Sequence, residues 1–224
     1  MKSKHIKSAL SIICLSLVFS NTSQSQTSIK TNKALLITSA QVDLLSEDGK
    51  AWAFTKDSEA KNKVRQNLKK VIKKARELNI PIIHSPVGFD YNKMKGYQPL
   101  NGIQQVIIEN QLLDVHTSGV DFIPEATPKS NEIVLPYRQG FSSFWANSIQ
   151  KHIEKLNIET IYIVGMLAEG CVQSHTRDAA ENGYKTIVIT DAIGSTSLEL
   201  LDASYKTLGL HAKKLIDTKT FMKK

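Results

Sequence analysis

Short runs of consecutive apolar residues alternate along the chain with longer stretches in which apolar positions recur at helical spacing. The apolar runs predict buried strands at residues 34–38, 81–84, 132–135, 160–164, 185–190 and 213–216. The amphipathic stretches predict helices at residues 58–78, 147–156, 171–182 and 198–208. Continuous apolar strands separated by helices are typical of a parallel sheet covered on both faces. The pattern therefore predicts a three-layer α/β/α sandwich with a central, mostly parallel sheet.

Residues 86–130 do not follow this alternation. The segment is rich in glycine and proline, and only residues 103–113 have a helical pattern. Long irregular segments of this kind are usually lids, binding loops or disordered regions. We expect this one to form a lid over the ends of the strands.

Polar and reactive residues follow several of the predicted strands. Ser39 follows the first strand, Ser85 the second, and Cys171 lies in the segment after the fourth. Binding sites in open parallel sheets lie outside the carboxyl ends of the strands. We therefore expect these residues to meet at one edge of the sheet.

Cys171 is the most informative of these residues. It follows a strand that ends near Gly165 and it opens an amphipathic helical pattern. The first turn of a helix has unpaired N–H groups and the positive end of the backbone dipole, which favour the thiolate form of cysteine. The pattern predicts a nucleophile with nearby oxyanion donors. The alternative is a small, buried, apolar side chain, since free cysteines often have that role.

The first 25 residues have the three parts of a secretory signal peptide: lysines, an apolar run at residues 9–19, and a small polar tract. We expect cleavage after Ser25, which leaves a single domain of residues 26–224 that is exported to the periplasm or secreted. The apolar run is short for a bilayer span, although an uncleaved N-terminal anchor is the alternative. Cleavage removes three lysines and no acidic residue, so the net charge falls from +8 to +5.

Charge and cysteine content exclude several other classes of protein. Much of the remaining net positive charge comes from residues 61–76, where Val64, Leu68 and Val71 share one helical face and the cations share the other. We interpret this as a solvated helix, and no motif indicates nucleic-acid binding. After cleavage Cys171 is the only cysteine, so no internal disulfide can form. We expect no membrane association once the signal peptide is removed.

Three segments of the chain resemble the isochorismatase-like cysteine hydrolases, a superfamily that includes nicotinamidases and N-carbamoylsarcosine amidohydrolase. The most specific is GMLAEGCVQSHTRDAAENGYKTIVITDA, residues 165–192. ALLITSAQVDLLS, residues 34–46, is similar to the family's opening strand, and RQGFSSFWANS, residues 138–148, is similar to its middle catalytic segment. The resemblance covers nearly the whole predicted mature chain and implies a Rossmann-like α/β fold.

The resemblance also implies site residues, because the family's enzymes use an Asp–Lys–Cys triad. Cys171 takes the position of the nucleophile, but Ser39 takes that of the aspartate and Arg138 that of the lysine. The family further implies a non-proline cis peptide near Met166–Leu167 and an oxyanion hole formed by the N–H groups of Leu167 and Cys171. Fixed donors of this kind stabilise developing negative charge.

The serine at the aspartate position leaves two interpretations open. The protein is a hydrolase in which another group transfers protons, with Asp43, His84 and Glu169 as candidates. Each candidate also has a structural alternative: Asp43 as a turn or helix cap, His84 as a hydrogen-bonded strand end, and Glu169 as an exposed acid. In the second interpretation, catalysis is impaired and the domain binds a small molecule or a protein.

We expect no cofactor and no metal. The family's nicotinamidases carry an Asp-x-His with a further histidine after the second strand, and here His84 and Asp90 alone do not make such a site. We expect a metal-independent hydrolase of a small amide-like substrate with a C–N bond. The family commonly forms homo-oligomers, so we expect one here.

Overall fold

The structure is a computed structural model that describes residues 31–94 and 102–224. The predicted signal peptide, residues 1–25, lies outside the described residues, so cleavage and the domain boundary at residue 26 stay predictions. None of the helices within the two described ranges is long and apolar enough to cross a membrane.

A six-stranded parallel sheet forms the centre of the fold, with the strand order β3-β2-β1-β4-β5-β6. Its strands are β1 (Lys33–Thr38), β2 (Ile82–Ser85), β3 (Ile133–Val134), β4 (Thr160–Gly165), β5 (Lys185–Ile193) and β6 (Lys214–Ile216). All six predicted strands are present, and each of their ends lies within three residues of the prediction. The predicted α/β class and the parallel sheet are confirmed.

The strands β1 and β4 lie at the centre of the sheet, where the strand order reverses direction. Lys33 pairs with Thr160 at the start of the two strands, and Thr38 pairs with Gly165 at their end. Gly165 has a φ of +112°, and a Cβ there would collide with the carbonyl oxygen of Thr38. Only glycine fits this close approach. The chain leaves both strands at the switch point, which is where ligands bind in doubly wound sheets.

Helices cover both faces of the sheet. They are α1 (Val42–Leu45), α2 (Trp52–Asn62), α3 (Val64–Glu77), α4 (Gly102–Glu109), α5 (Ser143–Ala146), α6 (Ile149–Lys155), α7 (Gln173–Glu181), α8 (Leu198–His211) and α9 (Thr218–Met222). Alternate residues of β1 pack on opposite sides: Leu35 and Ile37 join the cluster that contains α3, and Leu36 joins the cluster that contains α6 and α8. The result is the predicted three-layer sandwich.

The helix that we predicted at residues 58–78 is two helices. Lys63 adopts a left-handed conformation with a φ of +51° between α2 and α3. Ser58 therefore lies inside α2, and its buried hydroxyl is within hydrogen-bond distance of the carbonyl oxygens of Thr55, at 2.9 Å, and Ser195, at 2.7 Å. No glycine or proline lies between residues 58 and 78, so the sequence did not mark the break. The apolar face predicted for residues 64–75 is buried in α3, as expected.

The prediction for the Cys171 segment also needs a correction. Cys171 does not open α7, because a π-helical turn over Ala168–Val172 comes first and α7 begins at Gln173. Residues 86–130 contain α4 and two short 3₁₀ turns, Ser118–Val120 and Pro124–Ala126. The helix predicted at residues 103–113 ends at Glu109.

Candidate active site

Four buried residues from the carboxyl ends of neighbouring strands form the centre of the site. Ser39 follows β1, Ser85 ends β2, Arg138 follows β3, and Cys171 lies in the turn after β4. Ser39 is 1% exposed, Arg138 1%, and Cys171 6%. The expectation that residues following parallel strands meet at one edge of the sheet, which we call the strand-end rule, therefore identified where these side chains lie.

The guanidinium of Arg138 connects the other groups. Its Nη1 lies 3.5 Å from Cys171 Sγ and 2.8 Å from the carbonyl oxygen of Gly140. Its Nη2 donates to Thr38 Oγ1 at 2.6 Å and to Ser39 Oγ at 3.0 Å. Its Nε donates to Ser85 Oγ at 2.9 Å. The guanidinium is held in place by oxygen atoms on three sides and directed toward the sulfur.

Arg138 has no carboxylate partner within 4.0 Å among the residues that the structure describes. A buried charge without a counter-charge is costly, and neutral hydrogen-bond acceptors offset only part of that cost. Of the groups to which Arg138 donates, only the thiol of Cys171 has an anionic form that could serve as a counter-charge, because the others are hydroxyl and carbonyl oxygens. A thiolate at this position would complete an ion pair that the fold otherwise leaves open.

Ser39 occupies the place where the family has a carboxylate. Its hydroxyl lies 3.6 Å from Cys171 Sγ and can donate to it while accepting from Arg138. The backbone at Ser39 is left-handed, with a φ of +50°. Ser39, Arg138 and Cys171 therefore form one hydrogen-bonded cluster. Their assignment to the triad positions of the family stays a prediction.

His175 is a site residue that our sequence analysis missed. Its Nδ1–H donates to the carbonyl oxygen of Cys171 at 2.7 Å, and its Nε2 accepts from the N–H of Ser143 at 3.0 Å. Complete burial, and then the positive charge of Arg138, lower the pKa of His175 to about 3. The imidazole is neutral and positions the Cys171 turn against α5. Its spacing of four residues from Cys171 on one helical face was a signal that could have identified it.

The peptide bond between Met166 and Leu167 is cis, as the resemblance implied. The N–H of Leu167 has no hydrogen-bond partner within the described part of the chain, whereas the neighbouring N–H of Ala168 donates to the carbonyl oxygen of Gly194 at 2.7 Å. The Leu167 N–H is thus available to a ligand in the cavity that Leu167 and Cys171 line. This is the arrangement expected of an oxyanion donor.

A cavity of about 230 Å³ opens at Cys171. At the carboxyl ends of the strands, the cavity is lined by Ser39, Leu167, Cys171 and Thr196. Ile103 of α4 also lines it. The segment that we predicted to be a lid therefore contributes to the walls of the cavity. Its opening and closing stay a prediction.

Glu169 is the predicted proton-transfer candidate that contacts a wall of this cavity. Its Oε1 accepts from Thr196 Oγ1 at 2.6 Å and from the Thr196 N–H at 2.9 Å. Its Oε2 is buried and has no hydrogen-bond partner among the described residues. Because Thr196 lines the same cavity as Cys171, its hydroxyl can connect the Glu169 carboxylate to a ligand bound there. Thr196 follows the end of β5, so the strand-end rule could also have indicated it.

The carboxylate of Asp43 lies elsewhere. Its two oxygens accept from the backbone N–H groups of Lys50, at 3.2 Å, and Leu113, at 2.6 Å. A Cβ on Gly119 would collide with this carboxylate, so it is packed tightly between three loops. This arrangement corresponds to the structural alternative, in which Asp43 caps backbone groups.

His84 also lies away from the cavity. Its Nε2–H donates to Glu132 Oε2 at 2.8 Å, and its ring packs edge-on against Phe122. Burial lowers the pKa of His84, although the hydrogen bond to Glu132 opposes this shift. The imidazole serves as a hydrogen-bonded group at the end of β2, which is the structural alternative for this residue.

The described residues after β2 do not bring His84 and Asp90 together. Asp90 pairs with Lys93 and His116, whereas His84 pairs with Glu132. Within residues 31–94 and 102–224, no group of three or more potential metal ligands comes together. The residue set differs from the ligand cluster expected of the family's metal-containing members.

Comparison with known proteins agrees with this geometry. A family model described as the isochorismatase domain matches residues 33–220. The chain belongs to the isochorismatase family.

The relatives include a secreted isochorismatase effector, Isc1, from Verticillium dahliae, which is 27% identical over 62% of this chain and 64% of its own length. A maleamate amidohydrolase from Pseudomonas putida is 29% identical over 33% of this chain and 34% of its own length. The chain thus matches less than two thirds of the length of either relative. An isochorismatase-family structure from Desulfovibrio vulgaris has the same fold, with a TM-score of 0.71, 17% identity, and coverage of 84% of this chain and 95% of the other.

Proposed function

We propose that the protein is a metal-independent cysteine hydrolase that cleaves the C–N bond of a small amide-like substrate. The observation that carries this proposal is the contact between Arg138 and Cys171. A buried guanidinium without a carboxylate partner among the described residues lies 3.5 Å from the sulfur, at the wall of a cavity. Nearby positive charge favours the nucleophilic thiolate. Membership of the isochorismatase family supports the same class of reaction.

In the proposed reaction, the Cys171 thiolate attacks the substrate carbonyl carbon, and the N–H of Leu167 stabilises the oxygen as it becomes negative. The C–N bond breaks, and the amine leaves with one added proton. Water then attacks the thioester, which releases the carboxylic acid and restores the thiolate. The sum is the consumption of one amide and one water molecule.

This cycle needs a group that gives a proton to the amine and recovers one from water. We assign this role to Glu169, acting through the Thr196 hydroxyl, because that pair reaches the cavity. Ser39 cannot replace the family aspartate as a base near neutral pH, although its hydroxyl can stabilise the thiolate through the contact at 3.6 Å. A positioned proton donor typically contributes about 10²–10⁴-fold to the rate.

The second candidate function is binding without turnover. It is favoured by one observation: none of the described carboxylates or imidazoles makes a hydrogen bond to Cys171 Sγ, whose partners are Arg138 and Ser39. In that case the cavity would hold a small molecule or a segment of a partner protein.

Hydrolysis of a panel of small amides, followed as release of ammonia or amine, distinguishes the two functions. We expect Cys171→Ala to lower kcat by at least about 10³-fold, and Glu169→Gln to lower it by about 10²-fold. Trp145→Ala, on the surface at 87% exposure, is the control that keeps full activity. Mass spectrometry should detect an acyl group on Cys171 during turnover. Turnover that survives in Cys171→Ala would refute the mechanism.

We also propose that the protein is exported. Support comes from the signal-peptide pattern of residues 1–25 and from the relative whose name describes it as secreted. N-terminal sequencing of the protein from the culture medium or periplasm should begin at Gln26. A chain that keeps its first 25 residues in the cell would contradict export by cleavage. Homo-oligomer formation stays a prediction, for sedimentation or light scattering to test.

A further inference from the structure

We propose, on the basis of the proposed function, that the substrates are neutral amides with an apolar acyl group. Amides that carry a carboxylate on the acyl group are excluded. Two features of the site indicate this preference: the apolar residues that line the cavity, and the hydrogen bonds that already occupy Arg138, the buried cation next to Cys171.

The cavity is lined almost completely by apolar side chains. Apart from Ser39, Thr55, Gln139 and Thr196, its lining within the described residues consists of aliphatic and aromatic side chains, Cys171 and one glycine. Apart from Cys171 itself, none of those lining residues has an ionisable side chain. The hydroxyl of Thr55 already donates to the carbonyl oxygen of Leu44 at 2.8 Å. A charged group on the substrate would therefore lose water without gaining a counter-charge.

The polar and apolar parts of the lining come from different elements. Ser39, Leu167 and Cys171 follow the central strands, and they offer hydroxyl, N–H and thiol groups to an amide. Most of the apolar residues come from α1, from α2, from α4 and from the segments that flank α4, among them Leu44, Phe54, Phe89, Val106, Ile107 and Leu112. This division fits an amide with its carbonyl at the sulfur and a hydrocarbon group toward α4.

Arg138 does not provide an anchor for a substrate carboxylate. All three of its nitrogens donate to protein atoms: Nε to Ser85, Nη1 to Gly140 and Cys171, and Nη2 to Thr38, Ser39 and the carbonyl oxygen of Ser85. Its side chain is 1% exposed, and it does not line the cavity. The guanidinium can stabilise the thiolate, but it cannot turn to a second anion without breaking these bonds.

The size of the cavity limits the acyl group. An apolar cavity of about 150 Å³ holds a benzene molecule, and this one measures about 230 Å³. A hydrocarbon group somewhat larger than a single benzene ring would fill it. Burial of each added methylene should strengthen binding by about fourfold until the cavity is full.

Binding to the Cys171→Ala variant tests the inference without turnover. The probes are hexanamide and 6-amino-6-oxohexanoate, which have the same chain length and differ by a terminal methyl or carboxylate. We expect calorimetry to give a dissociation constant at least about tenfold lower for hexanamide, with butanamide weaker than hexanamide. Equal affinity, tighter binding of the anion, or no binding of any of the three amides would overturn the proposal.

A pair of matched variants sharpens this test. Val106 of α4 lines the cavity and is 37% exposed, so Val106→Lys can place a cation at the wall. It should reduce the preference for hexanamide by at least about fivefold. Val134→Lys, at a β3 position that is 47% exposed and away from the cavity, should leave the preference unchanged. The same shift in both variants would contradict the assignment of the cavity.

The two proposals can fail separately. Loss of amide hydrolysis in every assay, with the expected binding preference retained, would refute the hydrolase and keep the apolar cavity as a binding site. Hydrolysis that depends on Cys171 but prefers carboxylate-bearing amides would keep the hydrolase and overturn the substrate class.

Discussion

Two arginines are held in different ways: Arg76 contacts Glu132 just before the start of β3, and Arg138 follows the carboxyl end of β3. Arg76 of α3 pairs with Glu132, its Nε 2.7 Å from Oε1, and the same carboxylate accepts from His84. Burial by itself would raise the pKa of Glu132, but the hydrogen bonds from Arg76 and His84 outweigh it and hold that pKa at about 2. Arg138 is more deeply buried and has hydroxyls, carbonyl oxygens and a thiol as its partners.

The difference separates a structural charge from a functional one. The Arg76–Glu132 pair is neutral as a unit, so it joins α3 to the segment before β3 and needs nothing further. The Arg138 site keeps an excess positive charge in a region of low dielectric, where that charge acts strongly on whatever lies next to it. Cys171 and the cavity lie next to it.

Removal of the positive charge of Arg138 should have the largest effect on catalysis. Arg138→Gln keeps hydrogen-bond donors but loses the charge, so we expect kcat/KM for the best amide to fall by about 10²–10³-fold. Arg76→Gln is the matched control and should stay within about twofold of the wild type. Steady-state kinetics of both variants measures this, and similar losses in the two would show that the comparison is wrong.

Restoring the family carboxylate comes next. Ser39→Asp suits the left-handed backbone at this position, which aspartate tolerates. The new carboxylate can transfer protons, so we expect kcat to rise by about 10²-fold. The carboxylate would also pair with Arg138 and weaken the effect of the guanidinium charge on the sulfur. Alkylation of Cys171 near neutral pH should therefore slow. Ser39→Asn is the uncharged control, and a gain of activity in that variant would rule out proton transfer as the cause.

Loss of the structural charge should change stability and leave the chemistry intact. Glu132→Gln leaves Arg76 and His84 without their counter-charge. We expect the free energy of unfolding to fall by about 2–3 kcal/mol, below the cost for a fully buried pair because Arg76 is partly solvated. Urea denaturation measures the loss, and the alkylation rate of Cys171 should match the wild type. A large change in that rate would mean that the two sites are coupled.

The smallest effect concerns acid stability. Because the pKa of His175 is about 3 in the folded protein and near 6.5 when unfolded, the unfolded chain binds the extra proton first as the pH falls. The stability present above pH 6.5 is therefore lost progressively toward pH 3, by about 2 kcal/mol at pH 5. The His175→Gln variant should be less stable at pH 7, and its urea denaturation midpoint should depend less on pH than that of the wild type. In the control His152→Gln, at a partly exposed position, the midpoint should depend on pH as it does in the wild type. An unchanged slope in His175→Gln would contradict the neutral imidazole.

Much of the fold could be predicted because its strands are continuous apolar runs. The strand-end rule also placed Ser39, Ser85 and Cys171 at one edge, and the resemblance added Arg138. The break at Lys63 was missed because no glycine or proline marks it, and lysine rarely adopts the left-handed conformation that it has there. The engagement of Asp43 by Lys50 and Leu113 depends on tertiary contacts between loops, which no local pattern encodes.

Alkylation of Cys171 by iodoacetamide, a small neutral amide that fits the cavity, tests the central claim most directly. The rate is measured from pH 5 to 9 for the wild type and for Arg138→Gln. An unperturbed thiol loses reactivity about tenfold per pH unit below about pH 8.5. We predict that the wild type reacts at least about tenfold faster than Arg138→Gln at the acidic end of this range, because the guanidinium 3.5 Å from the sulfur favours the reactive thiolate. Coincident profiles, or a wild-type sulfur that reacts only after unfolding, would contradict the account.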